Sequence, residues 1–181
     1  AVGILALYAG EPDFFHEEEL KLLSELAGDV AFAMDHIEKQ ERLNYLAYYD
    51  SLTGLANQRL FLERVAQAAR SGQSAGHKVA IVIIDLERFR HINESLGRAA
   101  GDELLRKLAQ WLSRYAGDAN LLARLSADHF AMLMPMVQTG QGVKTLLEAM
   151  TKSLLEHPFH LKNAIFRVAA RAGVALFPDD G

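Results

Sequence analysis

One short segment carries most of the structural information in this chain: Arg124-Leu125-Ser126-Ala127-Asp128-His129-Phe130. It lies between two apolar runs, Asn120–Leu125 and Phe130–Met134. A polar centre between apolar runs is typical of a tight turn that joins two strands. The sequence therefore predicts a hairpin over Asn120–Met136, with Asp128 at its turn.

The hydrophobic pattern outside the hairpin predicts further helices and strands. Val79–Ile84 is a fully apolar strand that ends at Asp85, and Ala164–Phe177 has two apolar parts that predict one or two strands. Helices are predicted over Leu60–Arg70, Glu94–Tyr115 and Val143–Glu156, with loops at Ser71–Gly76 and Thr139–Gly142. The order α-β-α-β-β-α-β indicates an α+β domain with a central sheet flanked by helices.

The composition favours one compact domain with an appendage. The chain has 181 residues, half of them hydrophobic, and a formal net charge of −4. This balance gives no basic surface for nucleic acid. Because there is no cysteine, we expect neither disulfides nor a thiolate metal site. No apolar run is long enough to span a membrane, and the composition suits a cytoplasmic setting.

The two ends of the sequence predict a longer natural protein. Ala1–Ala9 is apolar but carries no basic leader, so it is not a signal peptide. The last residues, Pro178-Asp179-Asp180-Gly181, form a turn signal with no element after it. We therefore expect this chain to be a piece of a larger protein.

The first fifty residues predict a strand and a long helix. Val2–Tyr8 is a buried strand closed by Gly10-Glu11-Pro12-Asp13, and Glu17–Glu19 form an acidic first helical turn. An apolar stripe with alternating spacings of three and four follows: Leu20, Leu23, Ala27, Val30, Met34 and Ile37. It breaks at Glu41 and Asn44. Two interpretations stay open: the stripe forms a homodimeric coiled coil, or it packs on its own domain.

A polar motif precedes the first predicted helix of the main domain. It reads Asp50-Ser51-Leu52-Thr53-Gly54-Leu55-Ala56-Asn57-Gln58-Arg59. Gly54 allows a positive φ, and Asn57 can cap the helix that follows. The motif therefore predicts a turn that leads directly into a helix.

This motif and two others resemble those of the GGDEF family, the diguanylate cyclases. Arg124–Phe130 is similar to the family's signature turn, which has two glycines and a second acid where this chain has Ser126, Ala127 and His129. The third similar segment runs from Phe89 to Asp102. The resemblance covers residues 49–181 and implies a nucleotidyl-cyclase-like fold with a ferredoxin-like palm.

The resemblance also suggests a division into domains. Gly3–Ile37 is similar to the last strand and helix of a GAF sensory domain. We expect residues 1–38 to be the C-terminal fragment of a GAF-like domain, 39–48 a helical linker, and 49–181 a GGDEF-like domain truncated at its C-terminus. Too little of the GAF domain is present to form a ligand pocket.

Cyclisation of two GTP molecules needs carboxylates that hold divalent cations beside the attacking 3′-hydroxyl. Mg²⁺ prefers hard oxygen ligands. By the resemblance, the metal ligands are Asp85, the backbone carbonyl of Leu86, and Asp128. Asp128, in the signature turn, is also the catalytic residue that the resemblance implies. The alternative is that Asp85 merely ends a strand.

The centre of the signature differs from the family's. An imidazole at position 129 is a poor ligand for Mg²⁺ and removes one negative charge. Side chains at Ser126 and Ala127 would crowd a nucleotide or change the turn. These changes together predict a degenerate catalytic site that holds Mg²⁺ weakly at most. A switch to Zn²⁺ or Mn²⁺ with Asp85, Asp128 and His129 is conceivable, but we favour His129 as an ordinary surface histidine.

The residues that bind guanine in the family match this chain more closely than those of the signature turn do. Asn93 and Asp102 match the family's amide and carboxylate, which suit the hydrogen-bonding edge of guanine. Both residues also suit helix caps, and that interpretation stays open. The resemblance thus implies GTP as a ligand.

Three functions follow from these observations. The first is a degenerate, regulatory GGDEF domain in cyclic-di-GMP signalling that binds GTP. The second is an active diguanylate cyclase with a tolerated variant signature. The third is a structural or dimerisation module upstream of an EAL phosphodiesterase domain.

Overall fold

The computed structural model describes residues 3–8, 10, 15–161 and 164–180. The chain divides into two compact units, Ala1–Leu46 and Ala47–Gly181. Within the described ranges, no helix combines the length and apolar character needed to cross a bilayer.

The elements follow the predicted order with changes at their boundaries. The helices are α1 (Glu17–Tyr48), α2 (Gln58–Ala75), α3 (Phe89–Leu96), α4 (Arg98–Ala116) and α5 (Gly140–Glu156). The strands are β1 (Lys78–Leu86), β2 (Leu122–Arg124), β3 (His129–Val137), β4 (Phe159–Leu161), β5 (Ala164–Phe166) and β6 (Ala170–Phe177). A 3₁₀ turn, Ala119–Leu121, precedes β2.

The larger unit is built on a four-stranded sheet in the order β2-β3-β1-β6. Each neighbouring pair in this sheet is antiparallel, and β4 and β5 form a separate antiparallel pair. The predicted α+β class, with helices around a central sheet, is therefore confirmed.

The sheet that contains β1 separates two layers of hydrophobic core. The β1 side chains at Ala80, Val82, Ile84 and Leu86 point into the main core, which α4 and α5 help to form. Val79 points to the other face and packs in a smaller cluster that includes α2. Each fully buried leucine or isoleucine in these layers contributes about 1.5–3 kcal/mol. The face of the sheet that carries Val79 is less covered near the C-terminal end of β1, where Asp85 is partly exposed.

The turn before α2 has the predicted caps. Gly54 has a φ of 74°, and the side chain of Asn57 accepts a hydrogen bond from the backbone N–H of Leu60 at 3.1 Å. The predicted loop at Ser71–Gly76 is wrong, because α2 continues to Ala75. Gly72 is helical and buried, and a Cβ there would lie 2.9 Å from a backbone oxygen. This glycine therefore permits close packing rather than breaking the helix.

Two further boundaries differ from the prediction. The region Glu94–Tyr115 is mainly helical, as predicted, but it belongs to two helices: α3 and α4 are separated at Gly97, whose φ of 82° interrupts the helical backbone. The loop predicted at Thr139–Gly142 is wrong. Thr139 accepts a hydrogen bond from the N–H of Gly142 and caps α5, which starts at Gly140.

The predicted hairpin is confirmed in position but has unequal strands. Arg124 of β2 pairs with Phe130 of β3, and β2 has only three residues. The sequence did not predict β4, a short strand between α5 and β5. The region over Ala164–Phe177 forms two strands, within the predicted range.

The N-terminal unit differs most from the prediction. Residues 3–8 are exposed and form no strand, so the buried strand over Val2–Tyr8 is wrong for its described part. A strand needs a neighbour for its backbone groups, and none of the described strands pairs with this segment. Val2 and residues 11–13 of the predicted turn lie outside the described residues. The acidic first turn of α1 is confirmed.

Candidate functional site

The strand register brings two parts of the candidate site together. Asp85, near the end of β1, is paired directly with His129, the first residue of β3. The neighbouring backbone N–H of Leu86 donates to the carbonyl of Asp128 at 3.2 Å. Directly opposed residues of a sheet project from the same face. The backbone therefore fixes the proximity of Asp85 and His129.

Three side chains meet at this edge of the sheet. His129 Nδ1 lies 3.0 Å from Asp128 Oδ1, and His129 Nε2 lies 3.7 Å from Asp85 Oδ1. Each side chain is between about a third and a half exposed. His129 is a partly exposed histidine, as the sequence suggested, but its ring also lies close to both carboxylates.

This cluster has the dimensions of a cation site. One ligand atom from each of Asp85, Asp128 and His129 can be chosen so that all lie within 4.8 Å of one another. The donor set contains two carboxylates and one imidazole, rather than oxygen alone. The residues therefore fit a divalent cation, and the imidazole affects which cation they fit best.

The turn itself has an ordinary backbone. Ser126 Oγ lies 2.9 Å from His129 Nδ1, which places the hydroxyl within hydrogen-bonding distance of the ring. Arg88 is the one non-glycine with a positive φ among the described residues. Ser126 and Ala127 therefore do not adopt the left-handed conformation that would favour glycine. Their side chains fit this turn without backbone strain.

An ion pair ties the turn to the motif before α2. Arg124 Nη1 lies 3.1 Å from Asp50 Oδ2, and the two side chains are 12% and 22% exposed. The other guanidinium nitrogen, Nη2, donates to the carbonyl of Ala127 at 2.8 Å. Thr53 donates to Asp50 from both its backbone N–H and its hydroxyl. One guanidinium thus connects two segments that are 74 residues apart.

Asp50 is held in its charged form by this network. Burial acts to raise the pKa of the carboxyl, but hydrogen bonds from Thr53 and the charge and hydrogen bonding of Arg124 outweigh it. The pKa of Asp50 therefore lies below its ordinary value. From the sequence, Asp50 and Arg124 were identified only as members of two motifs. Their opposite charges were the signal that could have predicted the ion pair.

Asn93 and Asp102 lie on the packed helices α3 and α4. Both are partly exposed and neither is a cap, because Gly97 occupies the N-cap of α4 and Asn93 lies inside α3. The capping interpretation is therefore wrong. A Cβ at Gly101 would lie 1.9 Å from Asn93 Oδ1, so this glycine leaves the space that the Asn93 amide occupies.

The family follows from comparison with known proteins. The sequence model of the family described as "Diguanylate cyclase, GGDEF domain" matches residues 47–181. The chain therefore belongs to the GGDEF family.

Several curated proteins are similar to this chain. The probable diguanylate cyclase DgcE of Escherichia coli is 32% identical over 156 residues, which are 84% of this chain and 14% of that protein. The cyclic di-GMP phosphodiesterase NbdA of Pseudomonas aeruginosa is 31% identical over 148 residues, 82% of this chain and 18% of that protein. The chain thus spans less than a fifth of either relative.

Solved structures agree with the fold. The GGDEF domain of TpbB (YfiN) from Pseudomonas aeruginosa superposes with a TM-score of 0.68 at 31% identity, covering 73% of this chain and 77% of that one. The coiled coil and GGDEF domain of DgcB from Caulobacter crescentus, solved in complex with c-di-GMP, gives a TM-score of 0.69 at 24% identity. It covers 86% of this chain and 82% of that chain, and it supports the fold alone.

Replacing Asp50 with asparagine should destabilise the larger unit. Asp50→Asn keeps the size of the side chain but removes the charge that Arg124 contacts, so we expect a loss of about 1–3 kcal/mol of unfolding free energy at neutral pH. Because the folded pKa is depressed, this stabilisation is complete above the unfolded value of about 3.9 and is lost as the pH falls through the folded value. Urea unfolding of both proteins across this range measures the difference.

The control for this prediction is Glu63→Gln. Glu63 pairs with Arg59 on the exposed surface of α2 at 3.5 Å, so its loss should change stability by about 0.5 kcal/mol at most. Equal losses in the two variants, or a loss in Asp50→Asn that persists unchanged in acid, would contradict the role given to the ion pair.

Proposed function

We propose that this chain is a degenerate GGDEF domain of a cyclic-di-GMP signalling protein, catalytically inactive and regulatory, which binds GTP weakly. The observation that carries this proposal is the position of His129. Its imidazole replaces the family's second acid and lies between Asp85 and Asp128.

Inactivity follows from the charge that phosphoryl chemistry requires. The 3′-hydroxyl of one GTP must attack the α-phosphate of another, and divalent cations must neutralise the charge on the leaving pyrophosphate. A neutral imidazole contributes no negative charge to that cation site. In addition, the side chains of Ser126 and Ala127 occupy a turn where the family has glycines that let backbone approach phosphate.

GTP binding rests on the residues that match the family best. Asn93 and Asp102 supply the amide and carboxylate for guanine, with Asn93 accommodated by Gly101. Asp85, the carbonyl of Leu86, and Asp128 would hold Mg²⁺ beside the phosphates. When bound, the cation would neutralise phosphate charge, and Asp85 and Asp128 would position it.

Two alternatives remain as outcomes of experiment. An active diguanylate cyclase would need the variant turn to tolerate both nucleotides. A structural or dimerisation module upstream of an EAL domain would bind no nucleotide. A product assay separates the first alternative from our proposal, and a GTP titration separates the second.

The N-terminal unit supports a proposal about assembly. Helix α1 has no buried residues, and Leu20, Val30 and Ile37 are each about half exposed. We propose that the stripe predicted from the sequence pairs with a second copy of the chain, following a GAF-like domain in a cytoplasmic protein. Burying these side chains between two helices would remove apolar surface from water.

We predict no synthesis of cyclic-di-GMP from GTP with either Mg²⁺ or Mn²⁺. The reason is the loss of the glycine pair and of the second acid. The assay should use the full-length protein and quantify product by chromatography. Product formation that disappears in Asp128→Ala would overturn the proposal.

A rescue variant tests the stated cause of inactivity. The combination Ser126→Gly, Ala127→Gly and His129→Glu restores the family's residues at the turn. We expect product above background from this variant when Asn93 and Asp102 are intact. Persistent inactivity of a folded rescue variant would place the defect outside the turn.

We predict weak, guanine-selective nucleotide binding. Asp102→Ala should reduce GTP binding by about 1–3 kcal/mol, because it leaves the guanine donors without a partner. Calorimetry with GTP and ATP measures this change. Glu103→Gln, at the next position of α4, is the matched control and should bind as the wild type does. Equal affinities for GTP and ATP, or no GTP binding at millimolar concentration, would contradict the prediction.

Association through α1 can be tested by placing charge on the stripe. Leu23→Glu with Val30→Glu should give a monomer in light scattering at concentrations where the wild type is a dimer, because buried carboxylates are costly. The control is Phe32→Glu with Leu43→Glu. These exposed residues lie on the opposite side of the helix by its periodicity and should leave the dimer intact. A monomeric wild type would refute the assembly.

A further inference from the structure

His129 adds a nitrogen ligand to the carboxylates of Asp85 and Asp128, at a position set by the backbone. The register of β1 and β3 opposes Asp85 and His129 directly, so their proximity does not depend on a flexible side chain reaching across the surface. Asp128 precedes His129 in the chain, and its carbonyl accepts from Leu86 N–H. All three potential ligands thus lie at one corner of the sheet, where β1 ends and β3 begins.

The contacts of the ring favour one nitrogen as the ligand. His129 Nδ1 lies near both Asp128 Oδ1 and Ser126 Oγ, at 3.0 Å and 2.9 Å. In the tautomer that carries its proton on Nδ1, the lone pair available to a metal is on Nε2. His129 Nε2 faces Asp85, with 3.7 Å between Nε2 and Oδ1. Separations of about 3 to 4 Å are those of two ligand atoms that share one metal ion at about 2 Å from each.

We infer that this corner selects a zinc-class transition metal over Mg²⁺, with Asp85, Asp128 and His129 as its ligands. Imidazole binds Zn²⁺ and Co²⁺ well, whereas Mg²⁺ prefers an all-oxygen shell and retains water. The inference rests on the proposed function for the cation site and changes the cation that the site takes. Such a site would bind its metal without a nucleotide.

The cluster differs from other histidine–carboxylate pairs on the surface. His91 Nδ1 lies 3.6 Å from Glu94 Oε2, but this pair is on one helix and His91 is 80% exposed. Within the part of the chain that the structure describes, Asp85, Asp128 and His129 form the one group of three with metal-binding dimensions. His91 is therefore a suitable control for weak, adventitious metal binding.

The test titrates Zn²⁺, Co²⁺ and Mg²⁺ separately into the full-length protein, without a histidine tag and without nucleotide. Calorimetry gives the affinity, and the visible absorption of Co²⁺ reports nitrogen and oxygen coordination. We expect the wild type to bind Zn²⁺ more tightly than Mg²⁺. His129→Ala should weaken Zn²⁺ binding by about 10- to 100-fold or more, the range for losing even an indirect contact to a metal. His91→Ala should leave binding unchanged.

The reciprocal variant is His129→Glu. It should reverse the preference, raising Mg²⁺ affinity while lowering Zn²⁺ affinity, and thermal unfolding in each metal provides a second measurement. Asp85→Asn should weaken binding of both metals. Wild-type preference for Mg²⁺, or unchanged Zn²⁺ affinity in His129→Ala, overturns the inference.

These results are separable from the proposed function. GTP binding without Zn²⁺ selectivity overturns this inference and leaves the regulatory nucleotide-binding role standing. Zn²⁺ binding lost in both His129→Ala and Asp85→Asn, in a protein that binds no GTP, supports this inference and overturns the proposed GTP ligand.

Discussion

The geometry of the candidate site depends on the ion pair between Asp50 and Arg124. Arg124 is the last residue of β2, and its guanidinium contacts both the Asp50 carboxylate and the carbonyl of Ala127 in the following turn. A partly buried guanidinium without its carboxylate would leave an uncompensated charge. The pair therefore helps to hold the turn in place. Arg124 also links the motif before α2 to β2, because its backbone N–H donates to the carbonyl of Ala56.

This arrangement explains how the family's fold is compatible with the residues of this turn. The contacts that position the turn use the side chains of Asp50 and Arg124 and backbone groups of Ala127, Asp128 and Leu86. None of these contacts requires a glycine at position 126 or an acidic residue at position 129. Substitutions at those positions can therefore alter the chemistry with little effect on folding. The ordinary φ values of the turn agree with this separation.

The sequence predicted the fold where charged or glycine-containing motifs constrain the backbone. The cap at Asn57, the strand ending near Asp85 and the hairpin were of this kind. Errors arose where a glycine had a packing role: Gly72 lies buried inside α2 although its residue type suggested a loop. The sequence grouped His129 with Asp85 and Asp128 only as the less favoured alternative. Its contacts with them depend on the pairing of β1 with β3, and a one-residue change in register would have turned the imidazole to the other face.

The exchange of an acid for His129 also changes what the turn needs in order to be stable. Two or three carboxylates at one corner repel each other unless a cation lies among them. The imidazole removes one of these charges and places its Nδ1 3.0 Å from Asp128 Oδ1. The charge repulsion that a bound cation would have to offset is therefore smaller at this turn than at a turn with a second acidic residue.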